Sequence, residues 1–403
     1  MRRPGAALAR LFEGLPETFV WLFAGGFVSA LASFVFPFLS LALTARGASP
    51  RGAGLAMSAL GAGILCSGPL SGELADRLGR RRTLVLALLV AAASAAALGL
   101  AASPRLTFLA AFLFGVSSSG AASPIQALVA DLVEPPLRAR AYGLLYWASN
   151  LGTGVSLVLG GLLAERSFAL PFFADAATTI LFALVVLARV RETSPGARTP
   201  PSRVAARAGY RPVLADRAFL AFLAAIFPFA LVFFQVGATL PIDMARHGLS
   251  PATYGVVLSV NTALIVVLQP FAPRLLGRLS YPHALALSSA LVGLGFGAYA
   301  LCGSPLGFAL ATAVWSLGEI GYAPSASAYT ALLAPPELRG RYAGAFALAV
   351  GFAGALAPLL GTSVFEALGD RALFGLCLGL GALSSSSFLA LGRFRRAGPL
   401  PAP

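Results

Sequence analysis

Lysine is missing from this chain, and histidine and cysteine are rare. All 29 basic residues are arginine, and the 403 residues include two histidines and three cysteines. A phosphate-binding loop of the type Gly-x-x-x-x-Gly-Lys-Ser/Thr requires lysine, which excludes an ATP-driven motor of that type. Cys66, Cys302 and Cys377 lie in separate apolar runs, with neither a metal-binding nor a disulfide spacing. We therefore expect no enzyme active site, no metal and no cofactor.

Charged side chains are also scarce. They make up 11% of the residues, whereas soluble domains carry about 25%. Hydrophobic residues reach 58%, and the mean hydropathy is +0.84. Because so large an apolar surplus needs lipid around it, the composition predicts a membrane protein whose main partner is the bilayer.

Long apolar runs, separated by arginine, proline and glycine, predict an all-α fold. A helix needs about 20 mainly apolar residues to cross a bilayer. Twelve runs qualify, near 18–44, 52–75, 83–103, 105–131, 138–164, 169–189, 218–244, 252–275, 283–303, 305–332, 339–365 and 370–392.

The arginines are distributed unevenly between the segments that join these runs. With a cytoplasmic amino terminus, 23 arginines fall on cytoplasmic segments and 6 on outer ones. This is the positive-inside asymmetry of membrane proteins, and an even number of spans places both termini in the cytoplasm. The net charge of +14 is therefore explained by the orientation of the helices in the membrane. We expect no nucleic-acid partner, since that needs a clustered basic face.

The chain repeats itself after about 200 residues. Gly47-Ala48-Ser49-Pro50 returns as Gly248-Leu249-Ser250-Pro251, and a Pro-Pro pair followed by leucine and two arginines occurs at both 135–140 and 335–341. We predict two pseudo-symmetric six-helix bundles, 1–190 and 218–403, joined by an arginine-rich and proline-rich linker at 191–217. Paired bundles let transport proteins expose one central site to each side of the membrane in turn.

The connection between the second and third spans carries the most specific motif. Residues 72–81 read Gly-Glu-Leu-Ala-Asp-Arg-Leu-Gly-Arg-Arg. This resembles the signature loop of the major facilitator superfamily, Gly-x-x-x-Asp-Arg-x-Gly-Arg-Arg/Lys. The resemblance implies twelve spans and a charged latch that favours the outward-facing state. The implied latch comprises Gly72, Asp76, Arg77, Gly79, Arg80 and Asp131, tied to the start of the eleventh span.

The fifth span carries a glycine pattern that leaves one helix face bare, so that another backbone can approach it closely. It resembles the antiporter motif of the superfamily, Gly-x8-Gly-x3-Gly-Pro-x2-Gly-Gly. The four outer glycines are present, but Ser156-Leu157 stands where the motif has Gly-Pro. A glycine-rich helix packed in lipid is the alternative. The motif glycines are Gly143, Gly152, Gly160 and Gly161.

Two acids lie within the apolar runs, where ionisable groups are costly and usually functional. Glu319 falls in the tenth span and Asp175 in the sixth. We predict that both couple transport to protons, with Glu319 as the main carrier. The alternative is a structural acid bonded to a neighbouring helix. Asp243, at the end of the seventh span, is interpreted as a boundary residue.

Aromatic and amide side chains within the spans suggest the lining of a substrate cavity. Buried amides need partners that lipid cannot supply, so they should bridge helices or face a cavity. The first and seventh helices line the central cavity in the superfamily. The predicted lining residues are Phe34, Phe38, Tyr146, Trp147, Asn150, Phe233, Gln235 and Asn261.

The resemblance extends to the bacterial drug:proton exporters of the superfamily, although the first span has no acid and the fourth no interior arginine. It implies a monomer of the bacterial inner (plasma) membrane that exports hydrophobic small molecules in exchange for protons by rocking of its halves. Two alternatives remain. One is an importer or facilitator of a small polar metabolite such as a sugar, amino acid or organic acid, and the other is a non-transporting membrane sensor.

Overall fold

The computed structural model describes residues 12–193, 210–271 and 279–396. Within these ranges the chain is helical, without a β-strand. Twelve spans are long and apolar enough to cross a membrane, which confirms the predicted number and the all-α class. They are Glu17–Ala45, Pro50–Ala75, Arg80–Leu100, Pro104–Leu132, Pro135–Arg166, Ala169–Arg189, Arg217–Ala238, Pro251–Leu268, Tyr281–Leu301, Pro305–Leu333, Pro336–Leu368 and Asp370–Gly392.

Individual helices are shorter than the spans in several places, because some spans are interrupted. Helices α1 to α8 are Glu17–Ala30, Val35–Ala45, Pro50–Leu78, Arg80–Leu100, Pro104–Gly120, Ala122–Leu132, Arg138–Arg166 and Ala169–Arg189. Helices α9 to α17 are Arg211–Ala215, Arg217–Phe233, Gln235–Ala238, Leu240–Arg246, Pro251–Leu268, Tyr281–Ala298, Pro305–Leu333, Arg339–Leu368 and Asp370–Arg396.

The seventh span ends earlier than the sequence suggested, and proline also interrupts the eighth. The seventh ends at Ala238 rather than near 244, and α12 then begins with Pro241 in its first turn. Proline has no N–H and its ring clashes with the carbonyl four residues earlier, so a helix restarts at this point. In the eighth span, α13 ends at Leu268, just before Pro270 in the 3-10 turn Gln269–Phe271, and the predicted residues 272–275 lie outside the described part of the chain.

The chain folds into two compact units. Of the described residues, the first unit contains 12–35 and 62–193, and the second contains 36–61, 210–271 and 279–396. The chain therefore leaves the first unit after Val35 and returns to it at Ala62.

The first unit has an aliphatic core at one end of its helices. Large apolar side chains from α1, α4, α6 and α8 meet there and exclude solvent, which is the main stabilising contribution of such burial. The fully or largely buried members include Leu15, Phe19, Leu22, Leu84, Val85, Leu88, Leu128, Val129, Phe182, Ala183 and Val186.

The second unit has a more aromatic core. The Trp315 indole N–H donates to the Tyr299 hydroxyl at 2.7 Å, and that hydroxyl pairs with the Thr312 hydroxyl at 2.8 Å. Aromatic side chains with a polar tip are stable in a core when the tip finds a partner, as here. Nearby, Gly293 of α14 faces Gly381 of α17 so closely that a Cβ on Gly381 would lie 2.4 Å from the Gly293 Cα.

Residues 36–61 pack within the second unit through backbone contacts. The Ser40 hydroxyl donates to the Gly237 carbonyl at 2.7 Å, and the Tyr254 hydroxyl donates to the Pro37 carbonyl at 3.1 Å. The Leu359 N–H donates to the Ser58 hydroxyl at 3.1 Å. A Cβ on Gly61 would lie 2.7 Å from the Gly354 carbonyl oxygen, so glycine permits the close approach of α3 to α16.

The first span is broken at residues 31–34, between α1 and α2. Pro37 lies in the first turn of α2. In a continuous helix its ring would clash with the Ser33 carbonyl, and that carbonyl would lose its N–H partner. A proline is tolerated in the first turn of a new helix, where N–H groups have no intrahelical partner. The position of Pro37 therefore accounts for the end of α1 and the start of α2.

Candidate functional site

Asp175 of α8 caps the broken first span. Its Oδ2 accepts hydrogen bonds from the backbone N–H groups of Phe34 at 3.0 Å and Val35 at 3.3 Å. Its Oδ1 accepts a bond of 3.4 Å from the Thr179 hydroxyl. The carboxyl group is buried, and the amino-terminal end of a helix favours a negative charge. Asp175 is thus bonded to the backbone of a neighbouring span.

The fifth span packs against the same break. A Cβ on Gly152 would lie 2.5 Å from the Ala30 Cβ, so only glycine fits there without displacement. The single proton of the Ser156 hydroxyl is shared between the Thr153 carbonyl of its own helix at 2.8 Å and the Ser33 carbonyl at 3.4 Å. Ser156 thereby bonds the carbonyl that Pro37 leaves without a helical partner.

The other motif glycines of the fifth span differ from Gly152. Gly143 is exposed, and a Cβ there would meet open space. Gly160 and Gly161 are buried. Close helix approach through this motif is therefore demonstrated at Gly152.

A cavity of about 310 Å³ lies inside the first unit, beside the break. Asp175 lines it together with hydroxyl groups and aromatic rings of the first, fourth, fifth and sixth spans. Phe34, Tyr146, Trp147 and Asn150 do not line this cavity. The hydroxyl-bearing and aromatic lining residues are Ser29, Ser33, Ser118, Ser149, Thr153, Thr179, Phe27, Phe114 and Phe182.

The predicted cavity residues of the first and fifth spans occupy three different environments. Tyr146 and Trp147 are exposed on α7, and the Asn150 amide donates to the Tyr146 carbonyl of its own helix at 2.9 Å. Phe34 lies in the break and lines a groove of about 610 Å³. Phe38 is fully buried in the second unit, edge-on to Tyr254. Phe34 precedes α2, so it shares no helix face with Phe38.

Glu319 of α15 is paired with Asn261 of α13 in the second unit. The Asn261 amide donates to Glu319 Oε2 at 2.7 Å and to the Ser316 hydroxyl at 3.0 Å. Both Glu319 and Asn261 are half-buried. An amide N–H can bond either a carboxylate or the carbonyl oxygen of a carboxylic acid, so the pair tolerates a proton on Glu319.

Aromatic rings lie along the same stretch of α15. Tyr322 stacks on Phe229 with a centroid distance of 3.5 Å, and Phe233 meets Trp315 edge-on at 6.0 Å. The buried Tyr322 hydroxyl has no hydrogen-bond partner among the described residues. The structure therefore places two predicted cavity residues, Asn261 and Phe233, beside or near the helix that carries Glu319.

Gln235, another predicted cavity residue, has its polar atoms used in packing. Its amide donates to the Ala357 carbonyl at 2.8 Å and to the Leu231 carbonyl at 3.1 Å, and its oxygen accepts from the Thr239 hydroxyl at 3.1 Å. The side chain is buried. Of the two roles expected for buried amides, Gln235 bridges helices.

The signature loop is held to the rest of the first unit by one ion pair and a helix cap. Arg80 is buried and its Nε lies 3.4 Å from Asp131 Oδ2. Asp131 also accepts a bond of 2.8 Å from the Thr193 hydroxyl. Arg77 pairs instead with Glu73 of its own helix at 2.6 Å, and Gly72 is half-buried. The Asp76 side chain lies outside the described part of the chain.

Glu192 is a residue of this region that sequence analysis missed. Its carboxylate accepts from the backbone N–H groups of Arg81 at 3.0 Å and Arg82 at 3.2 Å, so it caps α4. Gly79 has a φ of 94°, and a Cβ there would lie 2.7 Å from this carboxylate. The only available signal was an acid directly after the sixth span, and nothing local related it to residues 81 and 82.

Asp243 lies beyond the seventh span, on α12, and is more buried than a boundary residue would be. It is 1% exposed, and its carboxylate oxygens find no hydrogen-bond partner among the described residues. The His247 Nδ1 lies 3.7 Å from Asp243 Oδ1. Burial raises the pKa of Asp243 to about 6, against the opposing effect of His247. The described residues contain no group of three His, Cys, Asp or Glu side chains that could hold a metal ion.

The family can now be assigned. The sequence matches the model described as Major Facilitator Superfamily over residues 22–243 and again over 236–403. The chain belongs to the Major Facilitator Superfamily. It is a multi-pass membrane transporter of that superfamily, as the motif at 72–81 indicated.

Similar proteins include drug transporters by sequence and solute transporters by structure. Multidrug resistance protein MdtH of Salmonella newport (strain SL254) is 27% identical over 329 residues, which cover 81% of this chain and 80% of that protein. The nucleoside transporter NupG superposes with a TM-score of 0.77 at 15% identity, over 94% of this chain and 100% of that one. Peptide transporter POT in complex with sulfate gives 0.77 at 19% identity, over 95% and 96%. At these identities the two structures establish the fold alone.

Proposed function

We propose that this transporter exports hydrophobic small molecules from the cell in exchange for protons. The observation that carries the proposal is the half-buried Glu319–Asn261 pair within the spans of the second unit. An ionisable group at this depth is costly and is usually kept for function. The sequence likeness to a multidrug resistance protein and the aromatic neighbours of Glu319 support an apolar substrate.

In this proposal Glu319 carries the proton. When Glu319 is ionised, its carboxylate accepts a hydrogen bond from the Asn261 amide. When Glu319 is protonated, it carries no charge, and its burial among apolar side chains costs less free energy. Without that cost, the site around Glu319 can close while a proton is bound, and it opens again when substrate is bound. Each transport cycle therefore exchanges substrate for protons. Rocking of the two six-helix halves would supply alternating access. The Arg80–Asp131 pair belongs to the proposed latch.

The test is proton-driven efflux by the Glu319→Gln variant. We expect this variant to lose at least about 90% of proton-driven substrate accumulation in everted vesicles, because glutamine keeps the shape but cannot exchange a proton. Glu337→Gln is the matched control, since Glu337 is an exposed carboxyl group of the same unit. Full proton-driven efflux by Glu319→Gln would show that the coupling site has been assigned wrongly.

A second candidate is an importer of a small polar metabolite. The six hydroxyl side chains and Asp175 in the lining of the first-unit cavity favour it, because hydroxyl groups offer hydrogen bonds to a polar solute. A susceptibility panel in an efflux-deficient host, with and without a protonophore, separates the two. Protonophore-sensitive drug resistance supports export, and resistance equal to that of the empty host, together with uptake of a polar solute by intact cells, supports import.

The proposal also includes the setting of the transporter. We infer a monomer in the inner membrane of a bacterium, with both termini and the connection at 191–217 in the cytoplasm. The arginine asymmetry supports this orientation.

A further inference from the structure

We propose that Asp175 is a positioning residue for transport: its ionised carboxylate keeps the first span broken at residues 31–34. The chain passes from the first unit to the second directly after Val35, whose N–H this carboxylate accepts. The inference goes beyond the proposed function, because that function assigns proton exchange to Glu319 and gives the break in the first span no role in transport.

The first step concerns the groups that the break leaves without partners. Helix α2 begins at the break, so its first N–H groups have no intrahelical acceptor. Inside a membrane no bulk water is available to satisfy them, and each one left unpaired is costly. Asp175 accepts from the N–H group of Val35 and, together with the Ala32 carbonyl, from that of Phe34, while Ser156 bonds the Ser33 carbonyl. Two neighbouring spans therefore supply hydrogen-bond partners to the broken backbone.

The second step concerns the charge. A carboxylate only accepts hydrogen bonds, whereas a carboxylic acid donates from one of its oxygens. Three donors converge on Asp175: two backbone N–H groups and the Thr179 hydroxyl. The start of α2 adds the positive end of a helix dipole. Burial opposes the charge, whereas this set of partners favours it, so a proton on the group weakens the cap.

The third step concerns access and neighbouring charges. The cavity of about 310 Å³ beside Asp175 has room for several water molecules of about 30 Å³ each. Asp175 is the only titratable side chain among the described residues that line it. The groove of about 610 Å³ that Phe34 lines also contains Glu165 and Arg166 of the fifth span. It is lined too by Ala174 and Thr178, which are close to Asp175 in the chain. A proton that enters the cavity thus reaches Asp175 rather than another acid.

Hydrogen–deuterium exchange of the full-length transporter in nanodiscs tests the cap directly. We expect the backbone N–H groups of residues 31–36 to exchange at least about tenfold faster in Asp175→Ala and Asp175→Asn, because a charged hydrogen bond is lost. Thr178→Val is the control, since among the described residues the Thr178 hydroxyl bonds only carbonyls of its own helix. Unchanged or slower exchange in Asp175→Ala overturns the proposal, and wild-type exchange in Asp175→Asn overturns the role of the charge.

Substrate counterflow in proteoliposomes, with equal pH on both sides, distinguishes positioning from simple support of the fold. This measurement rests on the proposed function, since it needs a transported substrate. We expect wild-type flux to fall as the pH is lowered, and Asp175→Asn flux to be low already at neutral pH. Glu165→Gln should keep the wild-type profile. A wild-type profile in Asp175→Asn overturns the proposal, whereas failure of Glu319→Gln to uncouple transport leaves the exchange result unaffected.

Discussion

At the scale of single residues, the structure explains why Ser156 differs from the family motif. The motif of the superfamily has glycine at this position, and the sequence alone marks the serine as a defect in the pattern. In the structure the Ser156 hydroxyl reaches the Ser33 carbonyl, which Pro37 leaves without a helical partner. The two residues are more than 100 positions apart in the chain, so no local pattern could relate them.

Asp243 gives a prediction about pH. Burial raises its pKa from 3.8 to about 6, so the folded state binds a proton more tightly than the unfolded state. Stability is therefore greatest below about pH 4 for this group and falls as the pH rises through about 6. Asp243→Asn should unfold at a higher temperature than wild type at pH 7.5, and the difference should vanish near pH 4. Thermal unfolding in detergent measures this.

The charges around Asp243 define the controls for that experiment. Asp370 raises its pKa further, while His247 and Arg246 lower it. Glu134→Gln, at an exposed carboxyl group of the first unit, should leave the pH profile of unfolding unchanged. A stability difference between Asp243→Asn and wild type that does not depend on pH would contradict the assignment.

At the scale of the helices, the broken first span is where local and tertiary information meet. Pro37 was a visible signal that the helix could end near residue 36. The signal did not say whether the result would be a kink or a complete break. The break needs acceptors and donors from other spans, and Asp175 and Ser156 supply them. That Asp175 would bond this backbone was not predictable from its position in the sixth span.

Gly152→Ala tests the packing of the fifth span on the first. The new Cβ would lie 2.5 Å from the Ala30 Cβ and 2.9 Å from the Ala30 carbonyl carbon, so the helices must separate. We expect a loss of about 1–3 kcal/mol in the free energy of unfolding, as for other overpacked cores. The fall in unfolding temperature can be followed by tryptophan fluorescence in detergent.

Gly143→Ala is the matched control on the same helix. A Cβ there meets open space, and alanine has a higher helix propensity than glycine. We expect stability equal to wild type or up to about 1 kcal/mol higher. If the two variants unfold at the same temperature, the close approach at Gly152 does not contribute to stability.

At the scale of the whole molecule, the arginine distribution predicts the orientation in the membrane. With the amino terminus in the cytoplasm, 23 of the 29 arginines lie on cytoplasmic segments. In a variant without native cysteines, Ser103→Cys should react with an impermeant maleimide in intact cells. Glu134→Cys should react only after permeabilisation. Both positions are exposed in loops between spans, and the reverse labelling pattern would invert the topology.

The internal repeat predicts two similar bundles, and the structure adds where the chain changes unit. Residues 36–61 belong to the second unit, although they precede the linker by more than 100 positions. Their contacts are hydrogen bonds from side chains such as Ser40 and Tyr254 to backbone atoms, and close glycine approaches. Backbone atoms carry no sequence signature, so these partners could not be read from the chain.

Composition and span length alone determined the class of this protein. An apolar fraction of 58% and twelve runs of adequate length leave few ways to solvate the chain except as transmembrane helices. The motif at residues 72–81 indicated the superfamily, to which the family-model match assigns the chain. Only the tertiary structure decided which group each acid bonds. Asp175 accepts from N–H groups of the first span, Glu319 accepts from the Asn261 amide, and Glu192 accepts from N–H groups at the start of α4. Hydrogen bonds between spans depend on the register and rotation of packed helices, and the apolar pattern of each helix in lipid leaves both undetermined.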